Sequence, residues 1–324
     1  MTDILRFGIV GAGDAGRRHG RALTGADFAR VAFVADVDES RARALAAELG
    51  PGVQPVEVGQ ADWTAVDAVC VCTPPSSHTE WATRAVAAGC HVLIEKPLTC
   101  DLEQLAALEA IAEGSSRLVG AVCQHRFSAA AAAVSTRLAA NNGDRGFVLG
   151  AALRVRRRRV PSYYLDSWKG DPAVAGGGAV LSLGFHALDL ACWWMGRPVE
   201  ACALSRTVPG ARVEAALCGC VRFDSGALLS VDIIADEGPT SPDEINIFTR
   251  EGELAWQGDR ARLDGAWLTN GPENLHAQQL AQFGAAIRGH DAMVPSVRDV
   301  KPALALVAAL YESAASGNAA RVQC

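Results

Sequence analysis

A glycine-rich turn near the start of the chain constrains its fold more than any other feature. Phe7-Gly-Ile-Val is a short apolar run typical of a buried strand, and Gly11-Ala-Gly13-Asp-Ala-Gly16 follows it and opens a stretch of helix formers. Glycines at this spacing permit a tight turn, close approach of a pyrophosphate and contact between helix and strand. The next apolar run ends in Asp36, where a carboxylate accepts hydrogen bonds from adenosine ribose hydroxyls. This order predicts a dinucleotide-binding βαβ unit.

The acid at position 36 also bears on which dinucleotide binds. A carboxylate there repels a 2′-phosphate, so NAD is favoured over NADP. The residues expected to surround the phosphates are Gly11, Ala12, Gly13, Asp14, Ala15 and Gly16. The alternative interpretation is that three glycines merely form a turn and that Asp36 caps the following helix.

Hydrophobic patterning divides the chain into two regions. Up to about Gln124, short apolar runs alternate with helical stretches at 15–26, 39–49, 79–88 and 102–113, which predicts a parallel sheet covered by helices. After a helix from Ser128 to about Asn141, strand-like segments follow at 147–160, 199–208, 213–223, 227–234 and 244–249. Helices at 185–195, 275–287 and 302–315 are expected to cover this second sheet. The sequence predicts an α/β protein with a Rossmann domain at 1–123 and, at 124–324, an α+β domain with a large, mainly antiparallel open sheet.

Composition excludes several kinds of partner. The net charge of -6 gives no electrostatic drive toward nucleic acid or an anionic membrane surface, and no unbroken apolar run reaches membrane-spanning length. Ten cysteines occur, but the pairs Cys70/Cys72 and Cys218/Cys220 alternate in strand-like contexts typical of small buried apolar residues. Neither pair has zinc-knuckle spacing, so no metal site is expected. Without a basic, apolar leader, the chain is predicted to be cytoplasmic.

Two further strands of the predicted parallel sheet end in residues that suit a ligand site. Thr73 and Pro74 follow one, and Glu95-Lys96-Pro97 follows the next. Open α/β sheets bind ligands at the carboxyl ends of their strands, so Thr73 and Pro74 are expected to line the cofactor groove. A lysine partly desolvated beside a cofactor can polarise or deprotonate a hydroxyl. Taken alone, the tripeptide would most often be a surface turn.

Several blocks together resemble one family. They are Gly11-Ala-Gly13, Cys72-Thr-Pro-Pro-Ser-Ser-His78, His91-Val-Leu-Ile-Glu-Lys-Pro97, Gln124-His-Arg-Phe127, Gly176-Gly-Gly178 and His186-Ala-Leu-Asp189. Over nearly its full length the chain resembles the Gfo/Idh/MocA oxidoreductases. The resemblance implies a Rossmann domain, a C-terminal sheet domain that often mediates oligomers, and oxidation of sugar or cyclitol hydroxyls or the reverse. It further implies that His78, Glu95, Lys96 and Gln124 lie at the cofactor, and that Lys96 and His186 face the substrate carbinol from opposite domains.

The block around His186 combines a flexible loop with a helix start. Successive glycines let backbone approach a ligand, and Asp189, one helical turn after His186, is placed to bond the other imidazole nitrogen or to support the first turn. Many members of the family carry aspartate where this chain has Ser182, and serine supplies only hydrogen bonding. The sequence therefore leaves open whether Lys96 or His186 is the proton acceptor. The alternative for His186 is a packing histidine.

Aromatic and basic residues form a second candidate substrate segment. Tyr163, Tyr164, Trp168 and Lys169 offer ring faces for a pyranose and polar tips for orientation, although aromatics in such a loop equally serve as packing residues. Arg126 is expected at the rim of the pocket. The arginines at 154 and 156–159 lie on a predicted strand, where one face reaches a phosphate or carboxylate or is simply solvated.

These features predict NAD-dependent oxidation of a secondary ring hydroxyl of a sugar, aminosugar or cyclitol, by a homo-oligomer (dimer or tetramer). The segment from Tyr163 to Asp171 is similar to the corresponding stretch in members of the family that act at C3 of nucleotide-linked or aminoglycoside-type sugars. Two alternatives stay open: a ketosugar reductase using NADPH, and a sugar-sensing regulator that binds NAD without turnover. The pairing of Lys96 with His186 argues against a pure sensor, which has no need of proton-transfer groups.

Overall fold

The structure is a computed structural model that describes residues 4–140, 147–208, 210–269 and 273–323. It divides into two compact units. The first comprises the chain up to Thr99, Glu103–Gln124 and Asn274–Arg298, and the second comprises Cys100–Leu102, His125–Glu273 and the chain from Asp299 onward. The domain boundary expected between residues 123 and 124 stays a prediction. Asn141, the expected end of one helix, and Cys324 lie outside the described residues.

The first unit contains a six-stranded parallel sheet in the order β3-β2-β1-β4-β5-β6. Its strands are β1 (Leu5–Val10), β2 (Ala29–Asp36), β3 (Gln54–Glu57), β4 (Ala68–Val71), β5 (His91–Ile94) and β6 (Val119–Ala121). Its helices are α1 (Asp14–Thr24), α2 (Glu39–Leu49), α3 (His78–Ala87), α4 (Leu102–Glu113) and α9 (Leu275–Ile287). The strand order reverses direction at β1, which confirms the predicted Rossmann architecture.

One helix lies in a different place from the one expected. The segment 275–287 is helical as predicted, but it packs in the first unit rather than over the second sheet. Leu280 and Phe283, each 1% exposed, join the core formed by Phe7, Ile9 and Leu23. The apolar positions of an isolated helix show which face is buried without showing which sheet buries it, and this explains the error.

The second unit is built on a nine-stranded sheet in the order β14-β13-β12-β11-β7-β10-β9-β8-β15. Its strands are β7 (Val148–Arg158), β8 (Pro198–Thr207), β9 (Glu214–Phe223), β10 (Leu228–Asp236), β11 (Glu244–Thr249), β12 (Gly252–Gln257), β13 (Arg260–Leu263), β14 (Ala266–Thr269) and β15 (Ala320–Arg321). Its helices are α5 (Ala129–Ala139), α6 (Ser162–Leu165), α7 (Pro172–Ala175), α8 (Phe185–Met195) and most of α10 (Val297–Ser316). Among the described strands of this sheet, only β7 and β10 pair in parallel, so the mainly antiparallel sheet is confirmed.

The two faces of this sheet differ sharply in exposure. Alternate residues such as Leu153, Leu229 and Ile247 are buried on one face, where α8 packs. The other face is open and carries Leu204, Leu228 and Phe248 at 75%, 57% and 46% exposure. Cys202, Cys218 and Cys220 are exposed there as free thiols. The expectation that Cys218 and Cys220 are buried was wrong, because alternation identifies a strand but does not identify its covered face.

The segment Pro172–Met195 is long and apolar enough, by length and composition alone, to span a membrane. In the structure, 67% of its apolar 18-residue stretch is buried inside the protein. Its hydrophobicity is therefore accounted for by its position against the sheet, as in the core helices of globular proteins.

Candidate active site

The glycine turn after β1 has a backbone that other residues do not fit. Gly11 has φ of +101°, and a Cβ there would lie 2.5 Å from the Cys72 carbonyl oxygen. A Cβ on Gly16 would lie 1.9 Å from the Gly11 carbonyl oxygen. At Gly13, by contrast, a Cβ would meet no atom of the described chain within 4 Å, which leaves the turn open on that side. These contacts match the three tasks of a dinucleotide-binding turn: a tight bend, an open approach for phosphate, and close helix–strand packing.

Asp36 lies beside this turn and not at the cap of the following helix. Its carboxylate accepts the backbone N–H of Ala12 at 2.7 Å and that of Asp38 at 2.9 Å. The N-cap of α2 is instead Asp38, whose side chain accepts the N–H of Ser40. The alternative in which Asp36 is merely a helix cap is thereby removed. The carboxylate is fixed next to the phosphate turn, where the residues present fit the ribose of a dinucleotide.

The loop after β4 is held from behind by His78. Its Nε2 lies 2.7 Å from the Thr73 carbonyl oxygen and its Nδ1 lies 3.1 Å from that of Leu98. The ring is fully buried, and burial lowers its pKa while the two carbonyl groups oppose that shift. His78 was expected to contact the cofactor; in the structure it is fully buried and bonds the Thr73 carbonyl group, whereas Thr73 and Pro74 are half-buried.

Glu95 is also a positioning group in this structure. It is 8% exposed; Oε2 accepts the backbone N–H of Lys96 at 2.9 Å, and Oε1 lies 2.9 Å from Nε2 of His19. His19 comes from the inner face of α1 and is 1% exposed. Sequence reasoning did not single it out, although its spacing from the buried Gly16 and Leu23 would have placed it on that face. The lysine is therefore joined through Glu95 to the helix that begins at the glycine turn.

Electrostatics favour an ion pair between these two side chains. Burial alone would lower the pKa of His19, but the Cys70 sulfur and the Glu95 carboxylate raise it to about 10. Burial opposes ionisation of Glu95 as well, yet the hydrogen bond and charge of His19, with help from Lys96, lower its pKa to about 2. The pair is a buried imidazolium and carboxylate at neutral pH.

His276, on α9, completes a cluster with His19 and Glu95 whose ligand atoms lie within 4.8 Å of one another. Two imidazoles and a carboxylate suit a divalent transition metal. Burial together with the charges of His19, Arg18 and Lys96 lowers the pKa of His276 to about 4. His276 is therefore neutral at neutral pH, next to the charged His19–Glu95 pair.

In the second unit, α8 presents His186 near its N-terminus. A Cβ on Gly184 would lie 2.5 Å from Cδ1 of Ile233 on β10, so glycine lets this helix approach the sheet. His186 is partly exposed, and its ring centroid lies 4.7 Å from that of His125. The Ser182 hydroxyl, at the position where the resemblance expects aspartate, donates to the Gly178 carbonyl oxygen at 2.6 Å.

Asp189 does not serve His186 as expected. Its carboxylate binds Arg126 through two hydrogen bonds of 2.9 and 2.6 Å, and the side chains of Arg126 and Asp189 are 6% and 4% exposed. Arg126 also donates to the backbone carbonyl of Asp299 at 3.2 Å. The two predicted substrate ligands are thus each other's partners inside the unit. The sequence suggested that each residue contacts the substrate. It could not show that the two pair with each other, because they lie 63 residues apart along the chain.

The aromatic segment divides into packing and exposed residues. Tyr164 is 2% exposed and forms a small core with Val208, Val213 and Ala215. Burial raises the pKa of its hydroxyl to about 12, with the neighbouring Ser182 hydroxyl opposing. Trp168 is 43% exposed, and Tyr163 and Lys169 are partly exposed. The packing alternative holds for the Tyr164 ring, whereas the other three side chains are accessible to a ligand.

One anchoring residue in this unit was missed from the sequence. The Glu214 carboxylate accepts the backbone N–H groups of Gly178 and Val180 at 2.8 and 2.9 Å, and the hydroxyl of Tyr311 at 2.9 Å. Burial raises the pKa of Glu214, and these donors oppose the shift. Glu214 thereby fixes the glycine loop that leads into α8.

Gln124, expected at the cofactor, is 8% exposed in the first unit.

Comparison with known proteins places this geometry in a family. Residues 5–122 match "Oxidoreductase family, NAD-binding Rossmann fold" and residues 135–255 match the "GFO/IDH/MocA C-terminal domain". An inositol 2-dehydrogenase of Streptomyces avermitilis is 31% identical over 245 residues, covering 74% of this chain and 68% of that protein. The chain belongs to the Gfo/Idh/MocA oxidoreductase family. It is an NAD-dependent oxidoreductase, as the sequence predicted.

Two other matches extend over the whole chain. A 1,5-anhydro-D-fructose reductase of Ensifer adhaerens is 29% identical over 338 residues and covers 98% of each chain. The crystal structure of the WlbA dehydrogenase from Bordetella pertussis, in complex with NADH and UDP-GlcNAcA, superposes with a TM-score of 0.86 at 23% identity and covers 99% of each chain. The latter shows that the two-unit fold of the family is present throughout this chain.

Breaking the Arg126–Asp189 pair is expected to destabilise the second unit. Asp189→Asn keeps the shape of the side chain but leaves the guanidinium buried without its counter-charge, at a cost of about 3–5 kcal/mol in the free energy of unfolding. The exposed pair Arg84–Glu80 provides the control, because Glu80→Gln should cost less than about 1 kcal/mol. Urea unfolding followed by circular dichroism measures both. Equal losses in the two variants would contradict a stabilising role for the buried pair.

The His19–Glu95 pair predicts a pH-dependent stability. Because the pKa of His19 rises from 6.5 to about 10 on folding, its stabilising contribution is complete below pH 6.5 and is lost as pH rises toward 10. Glu95, with its pKa lowered from 4.5 to about 2, contributes above pH 4.5. The difference in melting temperature between the wild type and His19→Gln should therefore be largest near pH 6 and shrink toward pH 10. His290→Gln, at an exposed histidine, is the control for removal of an imidazole, and its melting temperature should stay close to that of the wild type.

Proposed function

We propose that this protein oxidises a secondary ring hydroxyl of a sugar or cyclitol to a ketone. NAD, when bound, accepts the hydride from the carbinol carbon. The observation that carries the proposal is the position of Lys96 at the carboxyl end of β5. The adjacent strands β4 and β1 end at the same edge in Thr73 and in the Gly11 turn. The substrate named for the Streptomyces avermitilis relative, inositol, supports a polyhydroxylated ring.

Lys96 and His186 are the proposed catalytic residues. Lys96 polarises the substrate hydroxyl or accepts its proton, and its backbone is fixed by the hydrogen bond to Glu95. His186 acts as the partner base, supported by the anchored glycine loop before α8. Ser182 supplies a hydrogen-bonding hydroxyl but no carboxylate, so it does not supply a negative charge that would raise the basicity of His186.

The proposed roles of the other predicted site residues follow from how exposed each side chain is. The turn from Gly11 to Gly16, together with Asp36, Thr73 and Pro74, is proposed to hold NAD. Tyr163, Trp168 and Lys169 are proposed to contact the substrate, since all three are accessible. His78, Glu95, Arg126, Tyr164 and Asp189 act through their neighbours, because each is bonded or packed inside its unit.

The reverse reaction is the second candidate, and one observation favours it. The Ensifer adhaerens relative that matches this chain along its length is named as a reductase. The same two proton-transfer groups would then protonate the ketone oxygen as hydride arrives at the carbon. The carboxylate of Asp36, fixed at the turn, favours NAD over a phosphorylated dinucleotide in either direction. The third alternative, a sensor without turnover, stays open to the same assay.

An absorbance assay at the band of reduced nicotinamide tests the proposal. We expect turnover with NAD, and much less with NADP, for at least one member of a panel of hexoses, aminosugars, inositols and nucleotide-linked sugars. Lys96→Ala and His186→Ala should each lower kcat by about 10²–10⁴-fold with NAD affinity nearly unchanged. Lys301→Ala and His290→Ala are the controls. Full activity in either catalytic variant would remove that residue from the mechanism, and NAD binding without turnover on any compound, in either direction, would favour the sensor.

We further propose that the protein is a cytoplasmic homo-oligomer, a dimer or tetramer. Nine free thiols among the described cysteines support a reducing compartment. The open face of the second sheet supports self-association, since Leu204, Leu228 and Phe248 are large apolar residues at strand positions that share this face.

Charge placed on the open face should dissociate the oligomer. Leu204→Glu and Leu228→Glu each bury a carboxylate in an apolar interface, so we expect loss of the assembled species. Leu268→Glu on β14 is the control, because its position in the strand register assigns it to the opposite face of the sheet. Sedimentation equilibrium measures the mass of each. A wild-type monomer at micromolar concentration would contradict the proposal.

A further inference from the structure

Two cations share one aromatic ring in the segment that follows β7. The guanidinium carbon of Arg159 lies 4.8 Å from the ring centroid of Tyr163, and Nζ of Lys169 lies 4.5 Å from the same centroid. Lys169 also lies 5.6 Å from the ring centroid of Trp168. Each contact is a favourable cation–π interaction, but together they hold two like charges near a single side chain.

Three of the four arginines on β7 differ from these two cations, because each is paired with a carboxylate. Arg154 pairs with Glu244 at 2.8 Å, Arg157 pairs with Asp243 at 2.7 Å, and Arg156 pairs with Asp232. Among the residues that the structure describes, neither Arg159 nor Lys169 has a carboxylate oxygen within 4.0 Å of its side-chain nitrogens. Among the described residues, pairing with carboxylates therefore covers Arg154, Arg156 and Arg157 but not Arg158, Arg159 or Lys169.

Arg159 also has an N–H donor that no acceptor among the described residues satisfies. Its Nη1 donates to the backbone carbonyl of Arg158 at 2.8 Å. Its Nε is buried and meets no acceptor in the described part of the chain. A buried N–H of a charged group without an acceptor is costly, and an anionic oxygen placed there would satisfy it.

The segment that carries the cations is held in place by its own packing. The Ser167 hydroxyl donates to the Tyr163 carbonyl oxygen at 2.6 Å, and a Cβ on Gly170 would lie 2.3 Å from the Tyr164 carbonyl oxygen. The Tyr163 ring meets the buried Tyr164 ring edge to face at 4.9 Å. The cations therefore project from a supported surface and not from a loose loop.

The segment also lies close along the chain to the proposed catalytic helix. It continues through α7 into the glycine loop at residues 176–178, which leads into α8 and His186.

We propose that Arg159 and Lys169 bind an anionic group, a phosphate or a carboxylate, carried by the substrate away from the hydroxyl that is oxidised. The inference rests on the proposed function and narrows its substrate class to negatively charged sugars. A guanidinium matches the oxygens of either anion through paired hydrogen bonds, and an ammonium adds a point charge. The same two charges repel a polycationic aminosugar.

The test compares kcat/KM for five compounds with NAD: a neutral hexose, its 6-phosphate, its nucleotide diphosphate conjugate, its uronic acid and a kanamycin-type aminoglycoside. At least one anionic compound should exceed the neutral hexose by about 10-fold or more. A preference for the 6-phosphate or the conjugate identifies phosphate as the source, and a preference for the uronic acid identifies carboxylate. A kanamycin-type aminoglycoside as the best substrate would overturn the inference.

Charge-removing variants locate the effect. Lys169→Gln and Arg159→Gln should lower kcat/KM for the preferred anion by about 10- to 100-fold, a loss at least about 10-fold greater than the loss for the neutral hexose. Lys169→Arg should retain most of the activity. Arg212→Gln removes a nearby arginine that is paired with Asp171 and serves as the matched control. Equal losses on neutral and anionic compounds would overturn the inference, and melting curves check that each variant is folded.

A binding measurement separates this inference from the proposed function. Inorganic pyrophosphate and, in a separate titration, glucuronate are added to the NAD-loaded protein and followed by calorimetry. Binding of either that is lost in Lys169→Gln supports the anion site even when no compound of the panel is oxidised. If sugars are oxidised but neither anion binds and neither variant changes the substrate preference, the anion site is wrong while the oxidation stands.

Discussion

Backbone crowding at the carboxyl ends of β1 and β4 is the constraint on which the first unit depends. Gly11 meets the Cys72 carbonyl group, and Gly16 meets the Gly11 carbonyl group, at distances that exclude any side chain. This contact sets where α1 begins and how closely it lies on the sheet. His19, on the inner face of α1, is thereby brought to Glu95 after β5, which binds the backbone N–H of Lys96. The turn that suits a phosphate and the lysine proposed to handle the substrate proton are parts of one rigid arrangement.

Buried charge supports the positioning of functional groups in both units. His19 with Glu95 and Arg126 with Asp189 are paired inside their units, and Glu214 accepts three hydrogen bonds at the loop before α8. Pairs of this kind contribute little net stability compared with apolar residues of the same volume, but they impose a geometry that apolar contacts do not. Such a role suits groups that hold a loop or a backbone N–H in place. It also explains why polar residues at both candidate sites are more buried than ligand-contacting residues would be.

Much of the fold could be predicted because it depends on local patterns. The bounds of α2, α4 and α8 agree with the predicted ranges, since amphipathic spacing and terminal residues define them. The edge strand β3 and the short strands β12 to β14 were missed, because half-exposed strands of four to six residues carry few apolar positions. The residues of the candidate site likewise fall into a group that the sequence could predict and a group that it could not. Residues on consecutive elements, such as Gly11 and Asp36, could be assigned from spacing, whereas the partners of Glu95 and Asp189 are tens of residues away and only the fold brings them together.

The distribution of arginines in the second unit separates two tasks that the sequence presents as one run. On β7, Arg154 and Arg156 point to the open face and are neutralised by Asp232 and Glu244 on adjacent strands. Such cross-strand pairs stabilise the sheet and leave its open face nearly uncharged around the apolar residues. Arg159, past the end of the strand, leaves this pattern and joins Tyr163 and Lys169. The charges of Arg154 and Arg156 are thus balanced by carboxylates on neighbouring strands. Those of Arg159 and Lys169 are not balanced by a carboxylate of the described part of the chain. In the proposed function, the sheets carry the catalytic residues and this segment selects the substrate.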